Sequence, residues 1–301
     1  MPYKRRTETS ELQILSFLNS RMSFSEKEKQ FYYYLKKGVE GEVLFDSLTE
    51  KLQCDCIIIN DLLLKLNNTT FQIDCIIITG ENIHFFEVKN YDGDYYYEAG
   101  RFYKKPKSEV ADPLNQLSRT ESLFRQFLQN LGFNIPINAF VVFINPEFTL
   151  FQAPLNKPLI LPTQINRYLN KVNSPATKLN QKHKTLANKL VSQHIEDSPY
   201  TQLPSFHYEQ LQKGIICNKC CCISVSVKGR ACLCESCEHK EPVSDAVMRS
   251  IKEIKLLFPN KKITTNLIHD WCKVVGSKKR ISRILARNFR TVGVRQWTYY
   301  E

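Results

Sequence analysis

The sequence predicts an α/β fold: a mixed sheet flanked by helices, followed by a small cysteine-rich ribbon and an α-helical C-terminal module. Three observations carry this. Short runs rich in Ile, Val, Phe and Tyr alternate with helical stretches between residues 38 and 170. Seven of the eleven cysteines crowd into residues 217–237. Residues 244–301 hold 13 basic and 4 acidic side chains, so most of the net charge of +12 sits in the tail. With 43% apolar and 24% charged residues over 301 positions, the composition is that of a globular chain long enough for more than one core.

The elements follow in order. Residues 1–37 predict two helices, ELQILSFLNS and SEKEKQFYYYLKK, the second capped by Ser25, assigned to packing or partner contacts and to no chemistry. Gly38 and Gly41 loosen the start of a further helix that carries Glu42, with Val43, Leu44, Phe45 and Leu48 on its buried side. Strands are expected at CDCIIIND (54–61), in a hairpin over 71–91, and in a second hairpin, DYYYEAGRFYKK (94–105), turning at Glu98–Gly100. Tyrosines in that hairpin either fill the core or stack bases along a groove. Asp112-Pro113 starts a helix through Leu131, with Leu114, Leu117, Phe124 and Leu128 buried and Gln116 near its first turn. NAFVVFIN (138–145) supplies the last core strand, and a helical pattern at 176–195 leads into the Pro-flanked connector SPYTQLPSF. The expected domains are an N-terminal segment 1–37, a core 38–170, a connector 171–213, a ribbon 214–241 and a basic helical module 242–301.

Chemistry concentrates in FQIDCIIITGENIHFFEVKNY. Side chains alternate along a strand, so Glu87 and Lys89 leave by one face while Phe86 and Val88 leave by the other. A two-residue loop at 80–81 sets Asp74 opposite Glu87, and a four-residue loop at 80–83 sets it opposite Lys89; an odd loop needs a bulge to keep the three together. Two carboxylates so placed suit Mg²⁺ or Mn²⁺, hard cations that take oxygen ligands and keep several waters. An acid followed by Glu-x-Lys is the metal site expected of a phosphodiesterase, with Lys89 orienting the attacking water or offsetting phosphate charge.

These residues carry a resemblance. GVEGEVLFDSL (38–48), FQID (71–74), EVKNYDG (87–93) and DPLNQ (112–116) resemble, in order and spacing, the nuclease-related domain (NERD) family of the PD-(D/E)XK nuclease superfamily. The likeness spans residues 38–170. It implies a restriction-endonuclease-like sheet and an active site of Glu42, Asp74, Glu87, Lys89 and Gln116, with Asp74 and Glu87 on the catalytic metal. Ile73 stands where the superfamily places proline before the first acid.

Cys217-x-x-Cys220 and Cys234-x-x-Cys237, separated by thirteen residues with a β-rich ISVSV run and a Lys-Gly-Arg turn, have the spacing of a zinc ribbon. Such a closed site of four thiolates serves folding, with Cys221, Cys222 and Cys232 as spare thiols that leave the ligand register open and His239 at the surface. Within SKKRISRILARNFR, Lys279, Arg283, Arg287 and Arg290 fall within roughly 80° of one another on a helix, opposite Ile281, Ile284, Leu285 and Phe289. A preceding helix at 264–273 and Ser277 as N-cap make a helix-turn-helix-like pair able to lie along a nucleic-acid groove. The tail is also similar to the C-terminal region of members of the same family.

No secretory pattern opens the chain and no stretch approaches about 18 consecutive apolar residues, so a cytoplasmic location without a membrane partner is expected. The expected function is a metal-dependent nuclease hydrolysing DNA phosphodiester bonds, with a zinc-bearing DNA-binding tail. A catalytically inactive nucleic-acid-binding or adaptor protein is the alternative, and RNA a possible partner in place of DNA. Oligomeric state is left open.

Overall fold

The structure is a computed structural model describing residues 1–174 and 178–301. Helices α1 (Ser10–Arg21) and α2 (Glu26–Thr49) precede β1 (Ile57–Leu66), β2 (Thr69–Ile78) and β3 (Ile83–Lys89). The second hairpin supplies β4 (Gly93–Glu98) and β5 (Arg101–Lys104), joined by β6 (Ser108–Glu109). Helix α3 (Pro113–Asn130), β7 (Ile137–Phe143), β8 (Phe148–Phe151), β9 (Leu159–Ile160), α4 (Ile165–Val172) and α5 (Gln181–Ser192) complete the first part. Beyond them come β10 (Val225–Lys228), β11 (Ala231–Cys234) and β12 (Lys240–Pro242), then α6 (Val243–Leu257), α7 (Thr265–Cys272), α8 (Lys278–Asn288), β13 (Thr291–Val292) and β14 (Tyr299–Tyr300).

Two compact units emerge: residues 1–8 with 33–199, and residues 9–32 with 200–301. This division differs from the expected domain boundaries. The 1–37 segment is split between the units, and 171–199 joins the first because Leu186, Ala187 and Leu190 of α5 are fully buried in its core. The expected helix at 176–195 begins at Gln181, and residues 176 and 177 lie outside the described residues.

The first unit is built on a mixed sheet in the order β1-β2-β3-β7-β9, antiparallel from β1 to β3 and parallel from β3 to β9. A smaller sheet, β6-β5-β4-β8, adds to it. One face of the main sheet packs on Phe45 of α2 and on Ile165, Leu169 and Val172 of α4. The other packs on Leu117, Phe124, Phe127 and Leu128 of α3, on α5, and on Tyr95, Phe102 and Phe148 of the smaller sheet. Sheet apolar on both faces, layered by helices, is the expected mixed α/β arrangement.

Two glycines behave differently from expectation. Helix α2 runs unbroken through Gly38 and Gly41, starting at a capping box in which Ser25 and Glu28 exchange hydrogen bonds. A Cβ on Gly41 would meet the Cβ of Asn90 at 2.5 Å, so glycine there lets α2 close onto the end of β3. Val43 and Leu44, expected inside, are 53% and 45% exposed, because the buried side of the helix follows Gly41, Phe45 and Thr49 at four-residue steps.

In the second unit, three residues of α1, Leu12, Leu15 and Leu18, are buried. Arg21, 2% exposed, grips Glu253 of α6 bidentately at 2.5 and 2.8 Å, donates to the Gln212 and Gly214 carbonyls, and stacks 4.0 Å from the Trp271 ring. Each of the three nitrogens of this buried guanidinium thus has a partner. Thr264 caps α7 and Ser277 caps α8, whose Ile281, Ile284 and Leu285 are buried. Among the described residues no helix is long and apolar enough to cross a membrane.

Candidate active site and cysteine ribbon

The turn between β2 and β3 is a two-residue loop: Thr79 N–H donates to the Asn82 carbonyl and Ile78 pairs with Ile83. The ladder runs to Cys75 opposite Phe86 and stops. One step further, the Val88 N–H donates to Asp74 Oδ2 at 2.7 Å, so the carboxylate takes up a strand donor beyond the ladder's end. Glu87 lies on the same face as the buried Phe85, and Phe86 and Val88 pack into the opposite core, as the alternation requires.

The strands beneath Asp74 change phase. Along β1 the residues facing one core are Ile57 and Ile59, then Leu62, Leu64 and Leu66; along β2 they are Phe71 and Ile73, then Ile76 and Ile78. Odd positions give way to even ones across the same two places, while the pairing of Asn60 with Cys75 and of Leu62 with Ile73 keeps one register. Asp61, with φ +54°, and Asp74 occupy the interval. Aspartate tolerates this left-handed backbone better than most residues.

The freed backbone groups are satisfied by the N-terminal strand, which runs parallel to β1 through Lys4 and Ile59. Lys4 Nζ donates to the carbonyls of Asn60 and Asp61, at 3.0 and 2.6 Å. Arg6 Nη2 donates to the Asp74 carbonyl at 2.8 Å, Nη1 lies 2.5 Å from Glu42 Oε2, and Nε pairs with Asp46 at 3.0 Å. Arg6, from a segment expected to serve packing or partner contacts, thus pairs with Glu42 behind the cavity without lining it. Only a basic residue in a Lys-Arg-Arg run marked it, and nothing local shows that it pairs with β1.

All five expected catalytic residues, Glu42, Asp74, Glu87, Lys89 and Gln116, line one cavity of about 620 Å³. Tyr91 and Tyr95 line it too, so the second hairpin contributes to the cavity wall as well as to the core. Lys89 Nζ bridges Glu87 Oε1 at 2.7 Å and Gln116 Oε1 at 3.0 Å, which joins β3 to the first turn of α3. Asp112 caps that helix, accepting from Leu114 N–H, and fixes where Gln116 stands.

Burial dominates the electrostatics. It pushes the Glu42 carboxyl up to about 8, reinforced by the Asp74 charge and opposed by Arg6. Glu87 is pushed up to about 7 by burial and by Asp74, with Lys89 opposing. Burial also raises Asp74, against Lys89 and the Val88 N–H. For Lys89 burial works downward, but Glu87 outweighs it and holds the ammonium above its ordinary range. Carboxylates crowded and desolvated in this way favour a proton or a cation.

Oxygen-only donors from Asp74 and Glu87, both buried and both raised by that burial, Glu87 further by the Asp74 charge, fit a hard divalent ion that completes its shell with water. Glu42 is already held by Arg6, which suits a supporting role better than direct ligation.

A second cluster lies in the ribbon. Among the described residues, Cys217, Cys220, Cys234 and Cys237 are the one set of three or more thiol, imidazole or carboxylate ligands whose atoms all lie within 4.8 Å of one another. The two knuckles repeat a geometry. Cys221 N–H donates to the Cys217 carbonyl and Glu238 N–H to the Cys234 carbonyl, both at 3.0 Å, and Cys221 and Glu238 adopt φ +61° and +58°. Cys221 thus closes a turn and points outward, and Cys232 is a buried core thiol. Cys222 stays close to the cluster, 3.2 Å from Cys220 Sγ and 3.4 Å from Cys234 Sγ. His239 is half-buried and outside the set.

The layered α/β domain thus brings Glu42, Asp74, Glu87 and Lys89 to one cavity. Residues 37–144 match the family model of the nuclease-related domain, NERD. No curated protein and no solved structure matches the chain.

Proposed function

We propose that this protein is a Mg²⁺-dependent nuclease that hydrolyses DNA phosphodiester bonds in the cavity of Glu42, Asp74, Glu87, Lys89 and Gln116. The observation that carries this reading is the convergence of Asp74, Glu87 and Lys89 at the end of one strand pair, within a nuclease-related domain. Asp74 and Glu87 would hold the ion, which when bound supplies Lewis-acid activation of water and phosphate.

The remaining work falls to the chain. Lys89, its Nζ fixed between Glu87 and Gln116, directs a positive charge at the scissile phosphate. Glu42, with a proton affinity near neutrality, orients the attacking water and takes up its proton. Arg6 holds Glu42 at that station. The water oxygen bonds to phosphorus, the ester bond to the leaving oxygen breaks, and a solvent proton neutralises the alkoxide. Cys217, Cys220, Cys234 and Cys237 would hold a structural Zn²⁺, and the basic tail would bring DNA to the site.

Cleavage of linear, circular and single-stranded DNA with Mg²⁺, Mn²⁺ or EDTA tests the reading, beside Asp74→Ala and Lys89→Ala. Metal-dependent cutting lost in both variants is expected. Wild-type protein that binds DNA and never cuts would move the assignment to the binding or adaptor alternative.

A further inference from the structure

Between the turn of the ribbon hairpin and α8 lies a cleft of about 740 Å³ whose lining includes Arg230, Ser244, Lys279, Arg280, Arg283 and Arg287. We propose that this cleft binds the phosphodiester backbone of a nucleic acid, with the ribbon and the helix gripping it together. The inference deepens the reading above and rests on it for the class of polymer alone.

Five cations converge there and no carboxylate lines the cleft. Nearby Arg249 is neutralised by Glu241, whereas none of the five makes an ion pair among the described residues. Like charges gathered without counter-ions repel one another, and an external polyanion relieves the cost. Lys279, Arg283 and Arg287 follow at four-residue steps, about 6 Å apart along the helix axis, on the order of the distance between successive phosphates. Burial of Ile281, Ile284 and Leu285 prevents the helix from turning this row elsewhere.

Arg230 is the residue that helix periodicity does not reveal. Pairing of Lys228 with Ala231 closes the hairpin at Gly229-Arg230, and Arg280 Nη1 donates to the Gly229 carbonyl at 2.8 Å. That bond fastens the ribbon turn to the first turn of α8 and aims both at one cleft. Arg290, grouped with the helical row on sequence grounds, does not line it.

The test is fluorescence anisotropy of the full-length protein with a short labelled DNA duplex and an RNA duplex, over a series of salt concentrations. Arg230→Ala, Arg283→Ala and Arg287→Ala should each weaken binding about fivefold or more and flatten the slope of log K against log salt by about 1. Arg290→Ala should stay within about twofold of wild type, and Arg230→Lys should recover most of the salt slope. Loss on either duplex upholds the cleft; affinity and slope unchanged in Arg230→Ala on both would overturn it. Cleavage assays on the same preparations separate the two readings. Protein that cuts DNA but is indifferent to Arg230→Ala keeps the nuclease and loses the cleft, and protein that never cuts but shows the graded slopes does the reverse.

Discussion

Arg6 and Glu42 meet at 2.5 Å, 36 residues apart in sequence, with side chains only 8% and 17% exposed. The same guanidinium carries the Asp74 carbonyl and Asp46. A single side chain therefore answers for the half-buried Asp46 carboxylate, a backbone group released by the phase change in β1 and β2, and the position of the proposed base Glu42.

Removing it has two separable effects. Arg6→Met should destabilise the protein by about 3 kcal/mol, because Asp46 and the Asp74 carbonyl lose their donor and Glu42, where ionised, loses its counter-charge. Urea unfolding with Mg²⁺ absent measures this, and a midpoint equal to wild type would refute the account. Cleavage should fall as well, beyond the loss explained by unfolded protein, since Glu42 is no longer held.

Lys89→Ala should reduce cleavage by about a hundredfold or more while leaving the fold and the metal content of the ribbon intact. Single-turnover cleavage and thermal melting on one preparation check both halves. A variant that kept its rate would remove Lys89 from the chemistry and leave it as the tie between Glu87 and Gln116.

Glu42 and Glu87 hold protons in the folded chain up to about pH 8 and about pH 7. Unfolded glutamates release theirs near pH ~4.3. Between those limits the folded state binds more protons than the unfolded, so metal-free stability falls as pH rises through the window. Denaturation midpoints in EDTA should decline from about pH 5 to about pH 8, less steeply in Glu42→Gln, and less steeply again with Mg²⁺ present. A decline no shallower in Glu42→Gln would show that this carboxyl is not the proton holder.

Glycines of α2 separate helix propensity from packing. Gly38 has nothing within 4 Å of a built Cβ, and Gly38→Ala should stabilise the protein by about 0.5–1 kcal/mol. Gly41→Ala should cost about 1–3 kcal/mol, because the new methyl meets Asn90. Chemical denaturation of the two variants gives opposite signs if the close approach at Asn90 matters.

Cys222 decides the ligand register of the ribbon. Cys217→Ser or Cys234→Ser should lose the bound zinc and unfold the ribbon, whereas Cys222→Ser should retain one zinc per chain. Metal analysis of the purified variants settles it; Cys222→Ser without zinc, beside Cys234→Ser with it, would exchange the two thiols.

Much of the site was legible because its signals are local. Alternation and loop parity bring Glu87, Lys89 and Asp74 together within 16 residues, and Asp112-Pro113 marks where Gln116 begins its helix. The two Cys-x-x-Cys knuckles are equally local. Arg6 and Arg230 were not legible, since one is brought in by a parallel strand pairing and the other by a hairpin docking on a helix, both long-range events. The continuity of α2 through two glycines was likewise decided by packing against Asn90 and the sheet, which overrides propensity. The phase change at Asp61 and Asp74 left no simple pattern either, because on each strand it looks like a break in alternation.

The family match opens at residue 37, yet the counter-ion of Glu42 lies in the first eight residues. A fragment excised at the family boundary would keep the named acids and lose the arginine that holds them, along with the strand that covers the edge of β1. For anyone transplanting this domain, or fusing another protein to its front, the portable unit is discontinuous, and the first strand has to travel with it.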